Sequence, residues 1–346
     1  VGGHIFSPHF LDPESVSIEM SAADFLHKDA STQLSELYVA AGAVFRFSTN
    51  CEELLKAARG SFLPVNSPVA SIDFSLRFWV NLSDQSQGPW PKPYVRGLDH
   101  LVFAGFDAGS SMLADLRTLR VIGRFSAGMA ADTTYWRTVI FPMLLSILAG
   151  SVGVVELHAS CVATGQQGLI LLGPSHCGKS TLAMALTKAG FKFLSDDRTF
   201  CSAKHKKLAA WGLPRPLKLR RDSGSFFDDF RDREPNDVQN GERVFHFDPG
   251  PHCIAQCEPR LLVVLQRECS AGFAMTPMTN SDVRSYIEQD LLAESPDAVQ
   301  RQEETLNHLL SVPCFMLRYG GKPQQIAEQL AASFLSNTQC QWPGTM

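Results

Sequence analysis

Between residues 72 and 80 the chain alternates, with Ile72, Phe74, Leu76, Phe78 and Val80 set against Asp73, Ser75, Arg77 and Trp79. A period of two predicts a strand with one buried face. Shorter apolar runs predict strands over 44–47, 101–106, 111–116 and 118–125, with a helix over 51–59 that Asn50 can cap. Gly, Pro and polar residues over 85–93 predict a loop. An apolar helix is expected over 130–149, where Pro142 is placed to kink it. Ahead of residue 35 the pattern is weak, apart from a helical candidate over 22–28.

From residue 152 the pattern changes to short apolar strands alternating with helices, the signature of an α/β core. Strands are expected over 154–162, carrying His158, and over 168–172, 191–194, 261–265 and 314–317. Helices are expected over 180–189, 281–292, 297–310 and 323–335, and a hairpin over 198–203 and 207–211. Residues 214–221 form a basic, proline-stiffened segment, followed over 222–242 by a polar stretch read as a helix and a loop. The expected division is an α+β region over 1–130 and an α/β domain over 131–346.

A length of 346 residues favours two domains, and 45% hydrophobic with 19% charged residues is the balance of a folded chain. The net charge of −4 gives no support for a nucleic-acid partner. Nine cysteines follow no disulfide spacing, and Cys253 and Cys257 with His252 lack a second pair of metal ligands, so reduced thiols in a cytoplasmic protein are expected. No basic region followed by an apolar core opens the sequence, so no secretory signal is read. The apolar run over 139–149 is too short to span a bilayer, and no membrane partner is expected.

The chemistry concentrates at Gly173-Pro174-Ser175-His176-Cys177-Gly178-Lys179-Ser180, a G-x-x-x-x-G-K-S pattern between an expected strand and an expected helix. In that setting loop amides and the helix N-terminus present partial positive charge to a polyphosphate. Lys179 can reach the β- and γ-phosphates, and the Ser180 hydroxyl can ligate Mg²⁺. Asp196 and Asp197 end the next expected strand, where carboxylates can hold or orient that ion.

Three stretches together resemble HPr kinase/phosphorylase and related serine kinases with a phosphoenolpyruvate-carboxykinase-like P-loop core. They are Glu156-Leu157-His158-Ala159-Ser160, the loop 173–180 with Thr181-Leu182, and the run 189–197 that ends in the paired aspartates. Arg215-Pro216-Leu217-Lys218 adds to the likeness, which is firm over 152–220. The resemblance implies an ATP-dependent, Mg²⁺-requiring kinase acting on a hydroxyl, a serine of a protein or peptide. It implies nucleotide contacts from residues 173–181 (Gly173, Pro174, Ser175, His176, Cys177, Gly178, Lys179, Ser180 and Thr181) and from Arg215. It places metal at Ser180, Asp196 and Asp197. Asp197 matches the general base, His158 an active-site histidine near the phosphates, and Arg243 a basic residue reaching the transferring phosphate. The 1–130 region would recognise the acceptor or mediate assembly, and a homo-oligomer stays open.

There are two departures. His176 stands where the family loop usually has glycine, and no glutamate matches the family's metal-binding one, the nearest position being Leu213. The alternatives are a nucleotide-binding regulatory module with little transfer activity, or a small-molecule kinase.

Overall fold

In the computed structural model, residues 32–339 are described except for 205–206, 214–215, 231–232, 236, 240–241, 290 and 292–295. The helical candidate over 22–28 lies outside the described residues. The chain is a mixed α/β protein built on two large sheets and one small one.

The first sheet contains β1 (Leu34–Ala40), β2 (Ala43–Thr49), β3 (Leu63–Pro64), β4 (Phe74–Asn81), β5 (Tyr94–Leu98), β6 (Leu101–Gly105), β7 (Ser111–Asp115) and β8 (Arg120–Ser126). Their order is β3-β1-β2-β4-β8-β7-β6-β5, with β2, β4 and β8 parallel and the other pairs antiparallel. Alternation along β4 buries Phe74, Leu76, Phe78 and Val80 and turns Arg77 outward. The inward side chains of β2, β4 and β8 meet α1 (Glu52–Arg59) in an aromatic core around Phe45, Phe47, Phe78 and Phe125.

Residues 127–149 join the same core, which therefore extends past residue 130. The expected single helix is instead α2 (Ala127–Ala131), α3 (Thr133–Tyr135), a π-helical turn at Trp136–Ile140 and α4 (Phe141–Ala149). Pro142 has no N–H for the α-helical ladder, and just before it the Phe141 N–H bonds Trp136 O, five residues back. The helical run Thr133–Val152 is 20 residues long and, unlike 139–149 alone, long and apolar enough to cross a membrane by length and composition. Its side chains Trp136, Ile140, Phe141, Leu144 and Leu148 are buried in the first core, as in a core helix.

The second sheet is assembled on β18 (Gln256–Arg267), whose residues Leu261 to Leu265 are all buried, as the continuous apolar run predicts. Strands β9 (Val155–Leu157), β10 (Ser160–Thr164) and β11 (Gln167–Leu172) precede α5 (Lys179–Lys188). After it come β12 (Lys192–Ser195), β13 (Thr199–Ser202) and β14 (Ala209–Trp211). Strand β18 lies parallel to β11 and antiparallel to β14. A small sheet, β15-β17-β16, occupies the region expected to be helix and loop, with β15 (Leu217–Arg220), α6 (Arg221–Gly224), β16 (Asp237–Gln239) and β17 (Glu242–Phe247). The chain closes with β19 (Gly272–Pro277), α7 (Asn280–Glu288), α8 (Pro296–Leu310), β20 (Cys314–Gly320) and α9 (Pro323–Gln339). Helices α5 and α9 share one apolar cluster of this sheet, and α7 and α8 the other.

The expected strand over 154–162 is two strands. Strand β9 pairs with β13, whereas β10 pairs with β11 and β12, and the chain crosses between these partners at His158 and Ala159. A period-two pattern cannot show such a change of neighbour, because both strands bury the same kind of side chain. The crossing puts His158 at a strand break instead of within a ladder.

Candidate functional site

Strand β11 buries Leu169 to Leu172, the chain turns through 173–178, and α5 begins at Lys179. Gly178 sits at φ +100°, and a Cβ there would run into the Tyr319 hydroxyl. That hydroxyl donates to Cys177 O at 2.6 Å, so β20 clamps the loop from behind. No side chain caps the first turn of α5, whose opening N–H groups face the loop. Lys179 is buried, and its Nζ donates to Gly173 O at 2.7 Å and to Pro174 O at 3.2 Å. Burial pushes the Cys177 thiol up despite the nearby Lys179 cation, which fits the reading of a small residue that fills the loop.

Strand β12 ends at Ser195, whose hydroxyl lies 2.7 Å from Thr199 Oγ1, and Thr199 Oγ1 donates to Ala159 O at 3.0 Å. These bonds tie the turn at 196–198 to the β9–β10 crossing. Asp197 takes φ +70°, a left-handed conformation that Asp tolerates better than most residues. The turn sends two adjacent carboxylates to different partners. Asp196 Oδ1 accepts from Ser160 Oγ at 2.6 Å and from Ser180 Oγ at 2.8 Å, and its Oδ2 from the Lys218 N–H at 3.4 Å. Asp197 Oδ1 lies 3.1 Å from His158 Nε2.

Their acidities diverge with their surroundings. Burial pushes the Asp196 carboxyl up, more than the two serine hydroxyls pull it down. The His158 hydrogen bond holds Asp197 down to about 2. Adjacent carboxylates with separated acidities are suited to separate tasks.

Both face a cleft of about 680 Å³. Of the residues singled out from the sequence, His158, Ser175, His176, Gly178, Lys179, Ser180, Thr181, Asp196 and Asp197 line it. Gly173 and Cys177 are buried behind it, and Pro174 is on the exposed outer turn of the loop. Arg243 does not line the cleft. Alternation along β17 puts Val244 on the cleft wall and Arg243 beside it on the other face, 3.4 Å from Glu234. Arg215 lies outside the described residues.

The cleft also holds Lys218, from the run that adds to the family likeness, and two residues not singled out from the sequence, Arg220 and Arg267. Lys218 and Arg220 come from β15, and Arg267 from the end of β18. Arg220 Nη2 lies 3.1 Å from His176 Nε2, so the histidine in the loop holds a guanidinium over the cleft. Lys218 and Arg220 alternate with buried Leu217 and Leu219, a period-two signal present in the sequence. Arg267 reaches the cleft, and buried Ser160 reaches Asp196 behind it, through pairings distant in sequence.

A Mg²⁺ ion fits these residues. Ser180 Oγ and the Asp196 carboxylate are hard oxygen donors already 2.8 Å apart, and a cation would offset the charge that burial penalises at Asp196. Among the described residues no group of three or more His, Cys, Asp or Glu could hold a metal, but Mg²⁺ needs only one or two protein oxygens beside water and phosphate.

No protein-family model matches the chain, and no curated protein matches it. Among solved structures it is similar to the HPr(Ser) kinase/phosphatase from Coxiella burnetii, at 12% identity and a TM-score of 0.29, over 53% of this chain and 98% of that one.

Proposed function

We propose that this protein is an ATP-dependent, Mg²⁺-requiring phosphotransferase that acts on a hydroxyl, a serine of a protein or peptide. The observation that carries the reading is the divergence of the two aspartates, Asp196 toward Ser180 at the start of α5 and Asp197 toward the open cleft beside His158. The 173–178 amides and Lys179 bind the phosphates, with Ser180 and Asp196 holding Mg²⁺. Bound there, that ion would supply charge stabilisation to the phosphates.

Asp197 orients the acceptor hydroxyl, and His158 fixes the carboxylate for it. The acceptor oxygen bonds to the γ-phosphorus, the bond to the β,γ-bridging oxygen breaks, ADP leaves, and the acceptor proton passes to Asp197. A carboxylate held near 2 is a weak base, so the proton moves late, as a loose, largely dissociative transition state allows. Lys218, Arg220 and Arg267 add positive charge around the transferring group.

The test is incubation with γ-labelled ATP, Mg²⁺ and a lysate of the source organism, wild type beside Lys179→Ala. A labelled product that disappears with Lys179→Ala supports the reading, and label that survives it overturns it. A second reading, a nucleotide-binding module with little transfer, is favoured by Leu213, an apolar and buried residue where the family resemblance would look for a metal-binding glutamate. It predicts ATP binding with no labelled product.

A further inference from the structure

Among the described residues, the first sheet has one face packed on helices and no element packed on the other. The open face carries Arg46, Arg77, Arg96, Arg120 and Arg124, all exposed. None of the five is in an ion pair among the described residues, whereas Arg59, Arg198 and Arg284, elsewhere on the protein, each have a carboxylate partner. The one acidic residue directly across a strand pair from any of them is Asp115, opposite Arg120.

Apolar side chains are interleaved with these arginines. Strand register places Arg77, Ile122, Leu113, Phe103 and Arg96 in one continuous row across β4, β8, β7, β6 and β5. Tyr94, Leu98, Phe103 and Ile122 are 53%, 72%, 44% and 55% exposed, so four of the nine exposed large hydrophobics among the described residues fall on this one face. A scattered exposed apolar residue needs no explanation, but a contiguous group of them marks an interaction surface. In a chain of net charge −4, five arginines on one sheet face are a local concentration of the opposite sign.

Two classes of anionic partner fit a basic, aromatic surface. Single-stranded nucleic acid would stack its bases on the open ring faces. Here two rings already have guanidinium groups over them, Arg96 at 4.0 Å from the Tyr94 ring centre and Arg124 at 5.4 Å from that of Trp79. The guanidinium edges remain available for carboxylates, and Ile122, Leu113 and Phe103 between them offer apolar contact.

We infer that the open face of β4–β8 docks an extended acidic segment of a partner polypeptide in which two carboxylates flank apolar side chains on the same face. With neighbouring strands about 4.8 Å apart, the row from Arg77 to Arg96 is roughly 19 Å long, the reach of about six extended residues, so carboxylates at i and i+6 can meet the two arginines while apolar side chains at i+2 and i+4 meet Ile122, Leu113 and Phe103. The inference is independent of phosphoryl transfer and is tested without it.

The experiment is fluorescence anisotropy with a labelled peptide of the pattern Glu-Ser-Leu-Ser-Phe-Ser-Glu, which puts both carboxylates and both apolar side chains on one face when extended, against the full-length protein at low and at physiological salt. A poly-uridine oligomer of similar length is titrated in parallel. The binding variant is Arg77→Glu/Arg120→Glu/Arg124→Glu, and Arg77→Gln/Arg124→Gln is a milder control. Nucleotide affinity on the same samples verifies that each variant is folded. The expected result is peptide binding that weakens with salt, falls at least tenfold in the triple Glu variant and less in the Gln variant, with nucleotide affinity unchanged. No peptide binding by wild type, equal binding by the triple variant, or tighter binding of the oligonucleotide than of the peptide would each overturn the inference.

Discussion

Asp99 and Asp197 share a backbone conformation and almost nothing else. Both have left-handed φ values, 50° and 70°. Asp99 stands at the tip of the β5–β6 hairpin, where the chain must reverse within two residues and the side chain is exposed to water. Asp197 stands in the β12–β13 turn, where the same conformation aims its carboxylate at His158 and leaves its neighbour to Ser160 and Ser180. In the first sheet, strained residues reverse strands. In the second, Asp197 and His176 each turn a polar, titratable side chain into a shared cleft.

If the two regions are as separate as this contrast implies, damage to the first core lowers stability without touching the cleft. Phe78 is fully buried among Phe47, Phe125 and Trp136. Phe78→Ala is expected to cost about 3–5 kcal/mol in chemical denaturation. The ATP affinity of the folded protein should stay at the wild-type value. A large change in affinity would show that the cleft depends on the first core.

The loop is sensitive in the opposite sense. Gly178→Ala forces a left-handed Ala, at about 1–2 kcal/mol, and drives its methyl into the Tyr319 hydroxyl. ATP affinity measured by calorimetry should fall at least tenfold. Adding Tyr319→Phe removes the oxygen and should restore part of the loss, whereas no recovery would mean that the backbone strain alone is responsible. At the hairpin, Asp99→Gly keeps the conformation without strain and should be neutral or stabilising by roughly 0.5 kcal/mol, with transfer activity unchanged.

The smallest effect concerns pH. The His158 hydrogen bond lowers the folded-state pKa of Asp197 to about 2, below its ordinary value, so the pair stabilises the protein above the unfolded-state pKa and that stability is lost as pH falls toward 2. Because Asp197 is more than half exposed, solvent screens much of this. The stability difference between wild type and His158→Asn should therefore be small at pH 6 and should close between about pH 4 and 2. A difference that widens on acidification would contradict the pairing.

Much of this was legible in the chain. The alternation at 72–80, the loop at 173–180 and the apolar run at 261–265 all declare themselves locally. What was not legible is what depends on neighbours. Strand β1 lacks a clean alternation because its residues are mostly half-buried, and β5 lies at a sheet edge with nearly every residue exposed. The break at His158 follows from a change of partner strand, and the small sheet over 217–247 joins short segments whose pairing is invisible one at a time. In the cleft, the loop and the aspartates come from contiguous motifs, and Lys218 and Arg220 from the alternation of β15. Arg267 reaches the cleft, and Ser160 reaches Asp196 behind it, by tertiary pairing, and Arg243 lies on the face of β17 away from the cleft.

The central claim is that Asp196 and Asp197, adjacent in sequence, do different work. Isothermal titration of ATP with and without Mg²⁺ on Asp196→Asn and Asp197→Asn tests it most directly. The account predicts that Asp196→Asn loses most of the Mg²⁺-dependent gain in ATP affinity, while Asp197→Asn keeps it. Equal loss in both variants, or loss confined to Asp197→Asn, would contradict the assignment.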